Sequence, residues 1–159
     1  MEPLKPLEEL LLEHPFFAGM EEGPRKFIAG CGRNIVFHAG DYLFREGGAA
    51  DSFFLIRHGT VAVELHVPGR EPLVVDTLQS GDIAGWSWLV PPQKWSNDAR
   101  ATTLVRAISL DANCLRGKCA DDHSVGYEIF KRFIPVIAER LTAVRMQLMD
   151  VYGTPEKRR

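Results

Sequence analysis

Between Asn34 and about Leu110, glycine cuts the chain into short runs of β-branched and aromatic residues, and this rhythm constrains the fold more than any other feature. The runs are Ile35-Val36-Phe37, Tyr42-Leu43-Phe44, Ser52 to Ile56, Thr60 to Leu65, Leu73 to Leu78 and Ala101 to Leu110. Each suits a strand and most are too short for a packed helix. Gly40-Asp41, Gly47-Gly48, His58-Gly59 and Pro68-Gly69 fall between them, where tight turns need unusual backbone angles. In one run Val61, Val63 and Leu65 alternate with Ala62, Glu64 and His66, the period of a strand with one face on a core. The pattern predicts an all-β barrel or jelly roll over residues 34–110.

Helical texture flanks that region. In residues 1–33, Leu7, Leu10 and Leu11 repeat at helical spacing, His14-Pro15-Phe16-Phe17 breaks the helix, and Gly23-Pro24 starts another. After the strands, Asp111 is positioned to cap a short helix through about Ala120, and Asp121 or Asp122 to cap a long one. The long helix carries Tyr127, Phe130, Ile134, Ile137, Leu141, Val144, Leu148 and Val151 at alternating intervals of three and four, a heptad seam. Ile129, Phe133 and Val136 add a second apolar stripe, so one face can cover the barrel while the seam meets a second copy. Pro135 removes a backbone donor and predicts a kink or junction near Lys131–Pro135. Residues 111–152 thus read as a short helix and a dimer helix, and residues 153–159 as a basic tail.

Composition narrows the function classes. The chain has 159 residues, 45% of them hydrophobic and 25% charged, with a formal net charge of −2, so no global basic field favours nucleic acid. No apolar run approaches the ~20 residues that span a bilayer, and no apolar export segment opens the chain, so the expected location is cytoplasmic. Cys31, Cys114 and Cys119 are odd in number and read as buried free thiols. The sequence has no Gly-x-Ser-x-Gly, paired catalytic carboxylates or metal-ligand cluster, and the expectation is a protein that is not an enzyme. His14, His38, His58, His66 and His123 are scattered, with no two arranged as a pair on one helix face.

Two runs carry a resemblance. The first extends from Ala39-Gly40-Asp41-Tyr42-Leu43-Phe44-Arg45-Glu46-Gly47 through Ser52-Phe53-Phe54-Leu55-Ile56 to Gly59-Thr60-Val61. The second is Gly81-Asp82-Ile83-Ala84-Gly85-Trp86-Ser87-Trp88-Leu89, followed by Asp98-Ala99-Arg100-Ala101-Thr102. Together with the helix order, they make the chain similar to the cyclic-nucleotide-binding domains, including the sensory half of Crp/Fnr-type regulators. The resemblance implies a mainly β fold, a double-stranded β-helix (jelly-roll) barrel with N-terminal helices and a long C-terminal dimer helix. It also implies a phosphate loop in which the amides of a short helix face a cyclic phosphate.

The ligand-binding residues implied in this way are Gly85, Trp86, Ser87, Trp88, Arg100, Ala101 and Thr102. Trp86 falls where the family places a glutamate that accepts the ribose hydroxyl, and an indole can only donate. The register of Arg100 stays open: it matches the phosphate-binding arginine directly, or Ala99 takes that slot and Arg100 is one residue late, on the opposite strand face. Arg100 could also pair with Asp98 or Asp82 at the rim. Trp86, Trp88 and Trp95 either line a pocket for a flat group or fill it. Thr142, Arg145 and Gln147 could touch a ligand or the other subunit.

The expected function is a regulatory domain sensing an anionic small molecule (cyclic AMP, cyclic GMP or another anion) through an altered pocket. It would form a homodimer, act on a separate effector protein, and contact neither DNA nor membrane. The alternative is a ligand-free dimerisation module that retains only the fold.

Overall fold

The computed structural model describes residues 5–152 and contains eight strands between two pairs of helices. The strands are β1 (Gly32–Phe37), β2 (Tyr42–Phe44), β3 (Ser52–His58), β4 (Val61–Leu65), β5 (Leu73–Leu78), β6 (Ile83–Ala84), β7 (Asp98–Ala101) and β8 (Val105–Asp111). They form two antiparallel four-stranded sheets, β1-β8-β3-β6 and β2-β7-β4-β5. The sheets make a jelly-roll-like pair that does not close into one continuous barrel.

The glycine punctuation has a direct physical basis. Gly40, Gly47, Gly59, Gly69, Gly81 and Gly85 all hold positive φ. At Gly59 an added Cβ would stand 2.2 Å from the carbonyl oxygen of Leu104, so the β3–β4 turn admits no side chain. The alternation in β4 is only half as expected. Val61 and Val63 are buried, but Glu64 on the other face is also only 4% exposed, next to a register shift against β5.

Helices α1 (Leu7–Glu13) and α2 (Glu22–Ala29) lead in, joined through the single turn Pro15–Phe17. Phe16 and Phe17 of that turn are buried, and Phe16 packs edge-on to Phe133 at 5.2 Å between ring centroids. Helix α3 (Ala112–Asp121) begins with the Asp111 carboxylate accepting the Cys114 N–H at 2.8 Å, the expected cap. Helix α4 (His123–Tyr152) begins with Asp122 accepting the Ser124 N–H at 3.0 Å. No break interrupts α4 at Pro135, so no junction stands there. Neighbouring turns hold the helix through one missing bond.

Across α4 the two stripes separate as their spacing requires. Val125, Ile129 and Phe133 are buried against the sheets, whereas Tyr127, Ile134 and Leu141 are 64%, 65% and 60% exposed. Phe130 and Leu148 are also exposed, and Ile137 and Val144 are half-buried. The side chain of Val151 and the 153–159 tail lie outside the described residues.

The expectation of three free thiols is corrected. Cys31 and Cys114 form a disulfide across 83 residues, with their Cα atoms 5.7 Å apart, and only Cys119 is free. Strand β1 pairs with β8 from Gly32 opposite Leu110 onward, which brings the residue before one strand beside the helix after the other. Sequence spacing could not show that proximity.

Candidate functional site

The implied ligand loop begins where β6 leaves β3. Ile83 and Ala84 pair with Leu55 and Phe54, and Gly85 then turns at φ +98°. A Cβ at Gly85 would sit 2.7 Å from the six-membered ring of Trp95, so this glycine serves a close approach, and what approaches is the chain's own indole. The residues that follow form one three-residue turn, Ser87–Leu89, rather than a longer helix. One turn aligns few peptide dipoles and gathers little of the N-terminal charge of a full helix.

The space this loop encloses is about 10 Å³, bounded by Phe44, Val63, Leu78, Gly85 to Ser87, Trp95, Asn97 and Arg140. That is roughly room for one water. The three tryptophans divide the work. Trp95 stacks on Phe44 at 3.8 Å between ring centroids and 13° between planes, with its backbone N–H donating to the Gly48 carbonyl at 2.9 Å. Trp88 is 1% exposed and packs on Phe53 and Phe133 beneath the turn, so it belongs to the core. Trp86 is half-buried at the mouth of the cavity.

Arg100 stands away from this space. In β7, Ala99 lies opposite Phe44 on one side and Val63 on the other, both cavity residues, while Arg100 lies opposite Tyr42 and Ala62. Alternation therefore puts Ala99 on the cavity face and Arg100 on the reverse face. There its Nε donates to the Glu64 carboxylate at 2.8 Å, and this pairing raises the guanidinium pKa above its ordinary value. The rim partner is thus Glu64 rather than Asp98 or Asp82. Asp98 accepts the Glu46 N–H at 2.7 Å, and Asp82 accepts the Gln79 N–H at 2.9 Å. Ala101 is buried opposite Val61, and the Thr102 hydroxyl donates to the Thr60 carbonyl at 3.1 Å. Of the seven residues proposed from sequence, the structure gathers Gly85, Trp86 and Ser87 at the cavity and leaves the other four elsewhere.

One residue that sequence reasoning missed reaches the cavity from outside the sheets. Arg140 of α4 is 8% exposed, pairs with the Asp76 carboxylate and donates from its second terminal nitrogen to the Ile83 carbonyl at 3.0 Å. Its signal lay in the pattern: Ile129, Phe133 and Val136 form the buried stripe, and position 140 continues it with a cation. Thr142 makes only an i−4 bond to the Ala138 carbonyl, and Arg145 is exposed.

Arg140 also borders a wider groove of about 750 Å³ between α4, the Pro15–Phe17 turn and the Asp76–Ile83 segment. Asp82, Glu139, Lys131 and Arg132 surround that groove with mixed charge. Next to it His14 is buried, its Nδ1 accepting the Phe16 N–H at 3.2 Å. Burial holds the His14 pKa below its ordinary value, only partly opposed by the nearby carbonyls of Ile56 and Asp82. Among the described residues no cluster of three or more His, Cys, Asp or Glu could hold a metal, and no helix is long and apolar enough to cross a membrane.

A family model for the cyclic nucleotide-binding domain matches residues 34–122. The chain belongs to the cyclic nucleotide-binding domain family. It is 28% identical over 149 residues to a CRP-like cAMP-activated global transcriptional regulator of Mycobacterium tuberculosis, covering 93% of this chain and 64% of that one. It is 29% identical over 117 residues to a cAMP-dependent protein kinase regulatory subunit of Schizosaccharomyces pombe, covering 72% and 27%. The chain therefore spans less than two thirds of the length of these curated relatives. A crystal structure of a cyclic nucleotide-binding domain from Methylobacillus flagellatus KT superposes with a TM-score of 0.76 at 17% identity, covering 94% of this chain and 84% of the other, a likeness of fold. The family and the mainly β jelly-roll fold with flanking helices expected from the sequence both hold, with the barrel left open as two sheets.

Proposed function

We propose that this chain is a non-enzymatic, cytoplasmic regulatory module that keeps the cyclic-nucleotide-binding fold and works with its cavity occupied by its own side chains. The observation that carries this reading is the stack of Trp95 on Phe44 against Gly85, which leaves about 10 Å³. Ligand pockets run to roughly 300–1,000 Å³. Three further features support it. Trp86 offers no acceptor for a ribose hydroxyl, Ala99 offers no charge for a phosphate, and Arg100 is tied to Glu64 on the reverse face.

With the interior closed, the surface available for signalling is α4. Its seam leaves Tyr127, Phe130, Ile134 and Leu141 exposed in heptad register, the arrangement that two parallel copies of one helix bury against each other. The module dimerises there and presents the pair to a separate effector protein.

The sensing alternative has one observation in its favour. Arg140 borders both the closed cavity and the open groove, so an anion that replaced Asp76 as its partner would act on α4 directly. Isothermal titration of the full chain with cyclic AMP and cyclic GMP tests the main reading. The expected result is no heat of binding up to millimolar ligand, and submicromolar binding of either nucleotide would overturn it.

A further inference from the structure

The Cys31–Cys114 bond is used by neither the cavity nor the seam, yet it joins two parts of the molecule that few other contacts join. Cys31 lies between α2 and β1, and Cys114 lies in the first turn of α3. Apart from the bond, α3 is held to the body by Ala112 and Leu115, both fully buried in the core, and by a few polar ties. The Asp111 N–H donates to the Cys31 carbonyl and the Ala112 N–H to the Asp51 carbonyl, each at 2.9 Å. Lys118 bonds the Phe27 carbonyl and stands 4.4 Å over the Phe27 ring. Arg116 donates to the Trp88 carbonyl at 2.8 Å. After Asp121 only Asp122 separates α3 from α4, so the position of α3 sets where α4 starts.

The bond is also reachable. Cys31 and Cys114 border an open cleft of about 320 Å³ together with Arg33, Ser52, Ser109 and Asp111, and Cys114 is the more exposed of the two. A structural disulfide in a small domain is usually sealed in the core; one at the floor of a polar cleft can be met by another thiol.

We propose that Cys31–Cys114 is a reversible thiol–disulfide switch, opened by a dithiol reductant, that sets how firmly α3 and the start of α4 are held to the sheets. In the forward direction a thiolate of the reductant attacks Sγ of Cys114. The Cys31–Cys114 bond breaks, and Cys31 leaves as a thiolate that takes a proton from water. The second thiol of the reductant then attacks the mixed disulfide, releasing Cys114 and closing the reductant's own disulfide. Two electrons pass from reductant to protein, and the reverse sequence with an oxidised dithiol restores the bond. Cys119 takes no part: burial raises its thiol pKa and keeps it protonated at neutral pH.

The test uses the full chain equilibrated with reduced or oxidised dithiothreitol, alkylated after unfolding and weighed, with hydrogen exchange measured on both forms. One alkylated cysteine is expected after oxidation and three after treatment of the folded protein with reductant. Amides of α3 and the first turns of α4 should exchange about tenfold faster in the reduced form, while those of β3 and β8 stay unchanged. A Cys31→Ser, Cys114→Ser variant should show the fast pattern under both conditions. Three alkylated cysteines after oxidation would overturn the proposal. So would a bond that resists reductant until the whole protein unfolds, or exchange that is the same everywhere in the two wild-type forms.

Discussion

The cavity beside Gly85 and the seam of α4 are both lined with apolar side chains, but one has been packed shut and the other left uncovered. Inside, Trp95, Phe44 and Val63 leave about 10 Å³. Outside, Ile134 and Leu141 stand mostly in solvent. A small molecule gains nothing from a space already filled, whereas a second apolar helix gains from every seam residue it covers. On the proposed reading, the interaction energy of this domain lies on its surface.

Four experiments would break or sharpen that contrast. The largest effect is expected inside. Trp95→Ala should destabilise the domain by about 3–5 kcal/mol, the usual cost of truncating a packed aromatic, seen as a lowered denaturant midpoint. Because the loss leaves an apolar space, indole should restore part of the stability, as ligands do when they bind only the folded state. Equal destabilisation with no rescue by indole would mean that the space collapses.

The second is on the seam. Ile134→Glu with Leu141→Glu should weaken self-association at least ~100-fold in sedimentation equilibrium, since each charge would face its own copy across the interface, and should leave the monomer's melting temperature nearly unchanged. A wild-type chain that is monomeric at high concentration would remove this half of the comparison. The third concerns the reverse face of β7. Arg100→Ala leaves the buried Glu64 carboxylate without its cation and should cost about 1–3 kcal/mol, with no change in the titrations with cyclic nucleotides.

The smallest effect is a pH dependence. His14 has a folded pKa below its ordinary value of 6.5, so the unfolded chain takes up its proton first as pH falls. Its contribution to stability is fully present above 6.5 and is lost as pH drops from there through the folded value. His14→Asn, which keeps a side-chain acceptor for the Phe16 N–H, should flatten this slope in denaturation curves taken across that window.

What could be read from the sequence follows the range of the interactions involved. Strands and turns were legible because alternation and positive-φ glycines are local demands. The α4 stripes were legible because helical period alone sorts Ile129 and Phe133 from Tyr127 and Ile134. The cavity was less so. Trp95 lies ten residues beyond Gly85, and only the path of the intervening Val90–Lys94 loop decides that its ring, rather than that of Trp86 or Trp88, fills the space. Arg100 turned on a one-residue choice of register that its partners Tyr42 and Ala62 determine. The disulfide depended on the pairing of β1 with β8, which no spacing between cysteines encodes.

Arg140 gives the barrel a handle on the rod outside it. One guanidinium grips the Asp76 carboxylate of β5 and the Ile83 carbonyl of β6, two residues ahead of Gly85. A rearrangement of that loop that displaced Ile83 would have to carry α4 with it or break the bond to the Ile83 carbonyl. A push applied to α4 by a docked protein would travel inward along the same arm.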